Sequence, residues 1–151
     1  MNIYKNFIDK KICKQINKTM LSVDFPWFYR KNQTTGDSSF LYHVFFANNK
    51  LNSYLYYLIE PLVKKLNPSN LCLKRPMKSN WHIDFDKLKL TPKSKTAIYY
   101  VNTNNGYTIF KNKKIRSEAN KMIVFNGDTM HKVKYQTDKD ARIVINFRYE
   151  V

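Results

Sequence analysis

The chain has 151 residues, with 27 Lys plus Arg against 11 Asp plus Glu, and 43% of it is hydrophobic. That length and composition fit one globular domain, 1–151, with its own core, and they exclude intrinsic disorder as the main state. No apolar run nears the roughly 18 residues of a spanning helix, and the charged start MNIYKNFIDKK lacks the apolar stretch of a signal peptide. The expected setting is therefore cytoplasmic and off the membrane, as a monomer. Small size and AT-rich composition would suit a phage-encoded or small-genome bacterial protein. The only cysteines, Cys13 and Cys72, read as free thiols, too few for a disulfide framework or a Cys-rich zinc site. The formal charge of +16 admits nucleic acid as a partner. However, 22 of the cations are Lys, 17 residues are Asn, and the lysines are spread along the chain with no base-reading motif. Coding bias accounts for that pattern as well as selection for binding does.

In chain order, Phe7, Ile8, Ile12, Ile16 and Met20 recur at helical spacing and predict an amphipathic helix over about 5–21. An aromatic stretch, Phe25 to Tyr29, precedes a polar loop over 31–38 and a strand over 40–46. A second helix is expected over 51–66, kinked or restarted at Pro61. Beyond Asn70 the pattern changes to short aromatic or β-branched runs at 71–78, 96–102, 107–111, 121–125, 131–135 and 142–149. Turn signals at Asn104-Asn105-Gly106 and Asn126-Gly127-Asp128 separate some of them. Helices first and strands afterwards predict an α+β chain, with helical support over 1–70 and a barrel or sandwich over 71–151.

The chemistry gathers in the β half. His82 and Asp84 stand two apart in Trp81-His82-Ile83-Asp84-Phe85, so an extended backbone projects both from one face. His131 opens a later strand. Two imidazoles and a carboxylate on one face form the donor set of non-haem Fe(II) oxygenases, which leaves metal positions open. Arg142 follows His131 by eleven residues and begins an apolar run, Arg-Ile-Val-Ile-Asn-Phe-Arg-Tyr. A hairpin would place His131 and Arg142 on neighbouring strands. A guanidinium at the head of an inner strand is costly unless it meets an anion, and its fork suits a carboxylate. An ion pair with Asp138 or Asp140 would satisfy it equally well.

His82-x-Asp84, His131 and Arg142, with Thr96-Ala97-Ile98-Tyr99-Tyr100-Val101-Asn102 and Gly106-Tyr107-Thr108 between them, resemble the Fe(II)/2-oxoglutarate dioxygenases. The prolyl 4-hydroxylase-like branch is the closest in pattern, and the likeness covers about residues 71–151. It implies N-terminal helices packed on a double-stranded β-helix, or jelly roll. It further implies that His82, Asp84 and His131 bind Fe(II), and that Arg142 takes the distal carboxylate of 2-oxoglutarate. Tyr100 would touch that same carboxylate, with Thr108 as a wall of the pocket. O₂ would be the oxidant and ascorbate a reductant. Where many members of this branch have Lys, this chain has Arg142, which leans toward the oxygen-sensing type and its microbial relatives.

The expected activity is hydroxylation of a C–H bond, of a prolyl residue in a peptide or protein. Two alternatives stay open: the same chemistry on nucleic acid or a small molecule, and a non-catalytic basic jelly-roll binding module. His43 reads as a satisfied, partly buried histidine rather than a ligand. Cys72 reads as a small core residue. Arg75 and Asn80 either face the substrate or bond nearby groups, and Arg148 either lines the open end of the barrel or is surface.

Overall fold

The structure, a computed structural model, describes residues 1–30, 40–47, 50–71, 82–85 and 90–151. The first helix, α1 (Lys10–Met20), starts where Asp9 accepts the Lys11 N–H on its carboxylate at 2.7 Å. Cys13, Ile16 and Met20 make its buried stripe, while Lys10, Lys11, Lys14 and Lys18 are exposed. It is shorter than the apolar spacing predicts because residues 2–4 form a strand, β1 (Asn2–Tyr4), and Asn6 takes a left-handed turn. Asn120 then grips Ile8, accepting its N–H at 3.0 Å and donating to its carbonyl at 2.8 Å.

The expected helical support over 1–70 is only partly so. Residues 28–51 contribute β2 (Phe28–Arg30), β3 (Phe40–Tyr42), β4 (Phe46–Ala47) and β5 (Lys50–Leu51), which form two small hairpins. The second helix is split into a 3₁₀ turn, Tyr54–Leu58, and α2 (Glu60–Leu66). Pro61 marks the restart, at a position where its missing N–H costs no helical bond.

The remaining strands are β6 (Asn70–Leu71), β7 (Ser94–Tyr100), β8 (Tyr107–Phe110), β9 (Lys113–Arg116), β10 (Lys121–Asn126), β11 (His131–Lys134) and β12 (Val144–Glu150). Five of them build a large antiparallel sheet in the order β1-β10-β7-β12-β6; three build a smaller one, β11-β8-β9. The predicted run over 72–78 lies outside the described residues.

The large sheet is apolar on both faces, and period-2 alternation assigns each residue its side. Ala97, Tyr99, Val101, Met122, Ile145, Phe147 and Tyr149 pack against Ile16, Met20 and Leu62 of the helices. Ile98, Tyr100, Ile123 and Phe125 point the other way and meet Phe110 and Ile115 of the small sheet. Burying each such side chain contributes roughly 1.5–3 kcal/mol, so the two clusters hold helices, large sheet and small sheet in three layers.

This layering corrects the expected hairpin. His131 and Arg142 are not on neighbouring strands: β11 pairs with β8, whereas β12 pairs with β7 and β6. The reason is burial. Ile145, Phe147 and Tyr149 need the helical layer, and only the large sheet faces it.

Candidate metal centre

His82 and His131 exchange both backbone N–H···O bonds at 2.9 Å, so a short extended segment carrying His82 adds to the small sheet beside β11. Directly opposed residues project from the same face. Here that face looks into the space between the sheets, and the two imidazole rings lie 4.4 Å apart. Asp84, two residues on, joins them from that side.

Asp84 Oδ1 is 3.8 Å from His82 Nε2, and Asp84 Oδ2 is 3.6 Å from His131 Nε2. The donor atoms of all three side chains lie within 4.8 Å of one another. Metal–ligand bonds of about 2.1 Å at right angles would put neighbouring donors roughly 3.0 Å apart, so closing on an ion needs a modest contraction. The side chains of His82, Asp84 and His131 are 8%, 4% and 3% exposed, too little for bulk water to solvate the carboxylate.

Two observations show that these residues fit a cation. His131 Nδ1 lies 3.0 Å from the Thr129 carbonyl, which can only accept. Nδ1 therefore carries a proton, which leaves Nε2, the ring nitrogen nearer Asp84, as the one that could ligate an ion. Asp84 Oδ2 is buried with no hydrogen-bond partner among the described residues, while Oδ1 accepts from Arg148 at 3.3 Å. An orphaned carboxylate oxygen between imidazole nitrogens is costly unless an ion completes it. The set could hold a divalent metal, and its two nitrogens and one oxygen suit Fe(II).

The segment is seated by packing. A Cβ on Gly127 would come within 2.7 Å of the Phe85 ring, so the bare backbone there lets Phe85, next to Asp84, lie down. Phe125 and Phe110 set their rings against His131 at 5.0 and 5.9 Å, which fixes the imidazole plane from below.

Arg142, Tyr100 and Thr108 form a second cluster. Arg142 lies two residues before β12 and donates from Nε to Ser117 at 2.8 Å and from NH2 to Thr108 Oγ1 at 3.1 Å. Tyr100 donates to the same Thr108 oxygen at 2.7 Å, with the guanidinium 5.6 Å from its ring centre. Burial lowers the Arg142 pKa from its ordinary value and pushes the Tyr100 hydroxyl up to about 12, so Tyr100 stays protonated at neutral pH. Among the described residues no carboxylate pairs with Arg142; Asp138 is exposed and accepts from the Asn105 N–H, and Asp140 is exposed. Gly106 makes room for the arginine, since a Cβ there would meet Arg142 Cδ at 2.7 Å.

The register relates the two clusters. Along the inner face of the small sheet, the His131–Phe110 pair is followed by the Val133–Thr108 pair. One such step along a strand is about 7 Å. Thr108, which Arg142 and Tyr100 both bond, thus sits one row along the same face from His131.

The six residues to which the resemblance gives a metal or co-substrate role, His82, Asp84, His131, Arg142, Tyr100 and Thr108, fall in these two clusters. Arg148, read as barrel rim or surface, instead reaches Asp84. Ser117, Thr96 and Asn146 were not singled out, yet Thr96 Oγ1 and Asn146 Oδ1 are further buried, unpartnered oxygens. Strand alternation from Arg142 would have found Asn146 and Arg148, because 142, 144, 146 and 148 share a face. His43 is satisfied, with Nδ1 3.0 Å from the Pro26 carbonyl and Nε2 2.8 Å from Ser53 Oγ. Cys13 is buried and free. Cys72, Arg75 and Asn80 lie outside the described residues.

No family model matches the chain, and no curated protein matches it either. Among solved structures, it is similar to a viral collagen prolyl hydroxylase from Paramecium Bursaria Chlorella virus-1, solved in truncated form. The TM-score is 0.57 at 15% identity, covering 99% of this chain and 90% of that one. At that identity the likeness is one of fold: a β-rich architecture with two helices.

Proposed function

We propose that this chain is an Fe(II)- and 2-oxoglutarate-dependent dioxygenase with a jelly-roll core, hydroxylating a C–H bond of a prolyl residue in a peptide or protein. One observation carries the reading: a buried His82–Asp84–His131 donor set with an orphaned carboxylate oxygen lies one row along the small sheet from Thr108, which is bonded by Arg142, a half-buried cation with no carboxylate partner among the described residues. The fold likeness to a collagen prolyl hydroxylase supports the substrate class.

The role of each residue follows from its bonds. His82, Asp84 and His131 would hold the metal, with Arg148 on Asp84 Oδ1 leaving Oδ2 for the ion. Bound Fe(II) would supply the redox chemistry that couples oxidative decarboxylation of 2-oxoglutarate to insertion of an oxygen atom into the substrate. Arg142 would take the distal carboxylate with its fork. Thr108 Oγ1 already accepts from Tyr100 and from Arg142, so both its lone pairs are used and its own proton is left to donate. The third bond to the carboxylate therefore comes from Thr108, with Tyr100 and Arg142 orienting it. Ile98, Phe110, Ile123 and Phe125 keep the space dry, which strengthens every charged contact in it.

The test is succinate release from 2-oxoglutarate in the presence of Fe(II), ascorbate and O₂. A panel of proline-containing peptides would be read by mass spectrometry for one added oxygen atom. Wild type should release succinate, and Asp84→Ala should not. Absence of succinate from wild type, or its retention in Asp84→Ala, would overturn the reading. Turnover on oligonucleotides in place of peptides would keep the chemistry and change the substrate.

A further inference from the structure

The outer face of the small sheet has a composition unlike the rest of the surface. Thr108, Phe110, Ile115 and His131 are buried toward the interior, so alternation turns Tyr107, Ile109, Lys114, Arg116, Lys132 and Lys134 outward. The register sets them in two rows, Lys114–Ile109–Lys132 and Arg116–Tyr107–Lys134. Each row has a cation at both ends and an apolar or aromatic residue in the middle. Strand spacing makes the four charges corners of a rectangle about 10 by 7 Å. No Asp or Glu occurs in any of the three strands, and the β8–β9 turn adds Lys111.

Neither helix covers this face, because both pack on the far side of the large sheet. Lys114, Arg116 and Lys134 are exposed, while Tyr107 and Ile109 are half-buried. Of the acids nearby in the chain, Glu118 pairs with Lys121 at 2.7 Å and also feels the Arg116 charge, while Asp138 accepts from the Asn105 N–H. Arg116 donates Nε to the Asn104 carbonyl at 3.2 Å, which holds its guanidinium at the end of the sheet.

We propose that this face binds single-stranded nucleic acid, with the exposed Lys114, Arg116 and Lys134 on phosphates and Tyr107 stacking a base. Aromatic platforms within a cationic frame are how sheet surfaces hold unpaired strands without reading sequence. A purely acidic protein surface would satisfy the four charges but leave the central ring without a function. The inference does not rest on the metal-site reading: the face is on the back of β11, and the histidine that opens that strand points the opposite way.

The experiment uses the full chain and a fluorescein-labelled short oligothymidylate, with anisotropy read across a salt series. Three phosphate contacts at about 0.7 counterions each predict a slope of log K against log salt near −2.1. Replacing two of the exposed cations, Lys114→Gln with Lys134→Gln, should bring it to roughly −0.7. Tyr107→Ala should weaken binding about ten-fold at unchanged slope, with Tyr107→Leu as the second variant if folding suffers. No binding at low salt would overturn the proposal. So would a slope that the lysine pair leaves unchanged, since other lysines would then carry the contact. Polyglutamate binding as tightly as the oligonucleotide, with no effect at Tyr107, would identify an acidic protein instead.

Discussion

Arg142 offers the sharpest test, because the same residue should have opposite effects with and without ligand. In the free protein its guanidinium is largely desolvated and makes two hydrogen bonds to neutral hydroxyls, Ser117 and Thr108, but pairs with no anion among the described residues. Arg142→Met removes an uncompensated charge and keeps much of the stem volume. Its Tm without ligand should therefore match or exceed that of wild type. With 2-oxoglutarate the order reverses. Two charge-assisted bonds at roughly 1.5–3 kcal/mol each, less the cost of desolvating the ligand carboxylate, leave about 3 kcal/mol, near 100-fold in affinity. At a ligand concentration 100 times the wild-type Kd, binding stabilises wild type by about 2.7 kcal/mol and the variant by about 0.4 kcal/mol. For a chain of this size those figures correspond to shifts of roughly 5–10 °C and about 1 °C. The assay is thermal unfolding with Mn(II) present in both proteins, with and without 2-oxoglutarate. Equal ligand-induced shifts would refute the argument, and a large drop in ligand-free Tm would refute its electrostatic half.

Three further outcomes test the surroundings of the site. Arg148→Met frees Asp84 to rotate away from the histidines and should weaken Mn(II) binding about ten-fold by titration calorimetry; unchanged affinity would remove Arg148 from the site. Gly127→Ala forces the Phe85 ring away, at a cost of about 1–3 kcal/mol, and should reduce metal affinity by displacing Asp84. Adding Phe85→Leu should restore that affinity, and a failure to rescue would mean that the segment is seated by something else. Tyr100 has its pKa raised from 10.0 to about 12, so its stabilising contribution is complete below pH 10 and falls as pH rises toward 12, because the unfolded chain ionises first. Tyr100→Phe should therefore flatten the alkaline limb of denaturant-derived stability by up to roughly 1.4 kcal/mol per pH unit within that window. Part of the limb should remain, because burial raises Tyr99 as well. Parallel limbs in the two proteins would refute the assignment.

Local pattern carried much of this. The heptad-like stripe of α1, the alternation of β7 and the i,i+2 spacing of His82 and Asp84 are properties of a few neighbouring residues, and backbone geometry translates them directly into faces. Tyr100 shares its face with Ile98, as the spacing predicts. The turns at Asn104–Gly106 and Asn126–Asp128 fall between strands because their residues favour reversal wherever they occur. β9 carries no such local signal, for the complementary reason: Lys-Lys-Ile-Arg has one buried residue, Ile115, and draws its strand character from pairing with β8. β1 and β2 are likewise only three residues each, too short for a period to register.

The choice of partner belonged to the tertiary structure. Alternation places Arg142, Asn146 and Arg148 on one face of a strand, but not which sheet that strand joins or what it faces. That depended on the opposite face, where Ile145, Phe147 and Tyr149 gain most against the helices, and the gain drew β12 away from β11 and into the large sheet. Arg148 was thereby carried to Asp84, 64 residues distant in the chain. The donor residues, in short, were legible because side-chain direction is local. Their company was not, because it was decided by burying apolar surface across the whole fold, a quantity that no stretch of neighbouring residues contains.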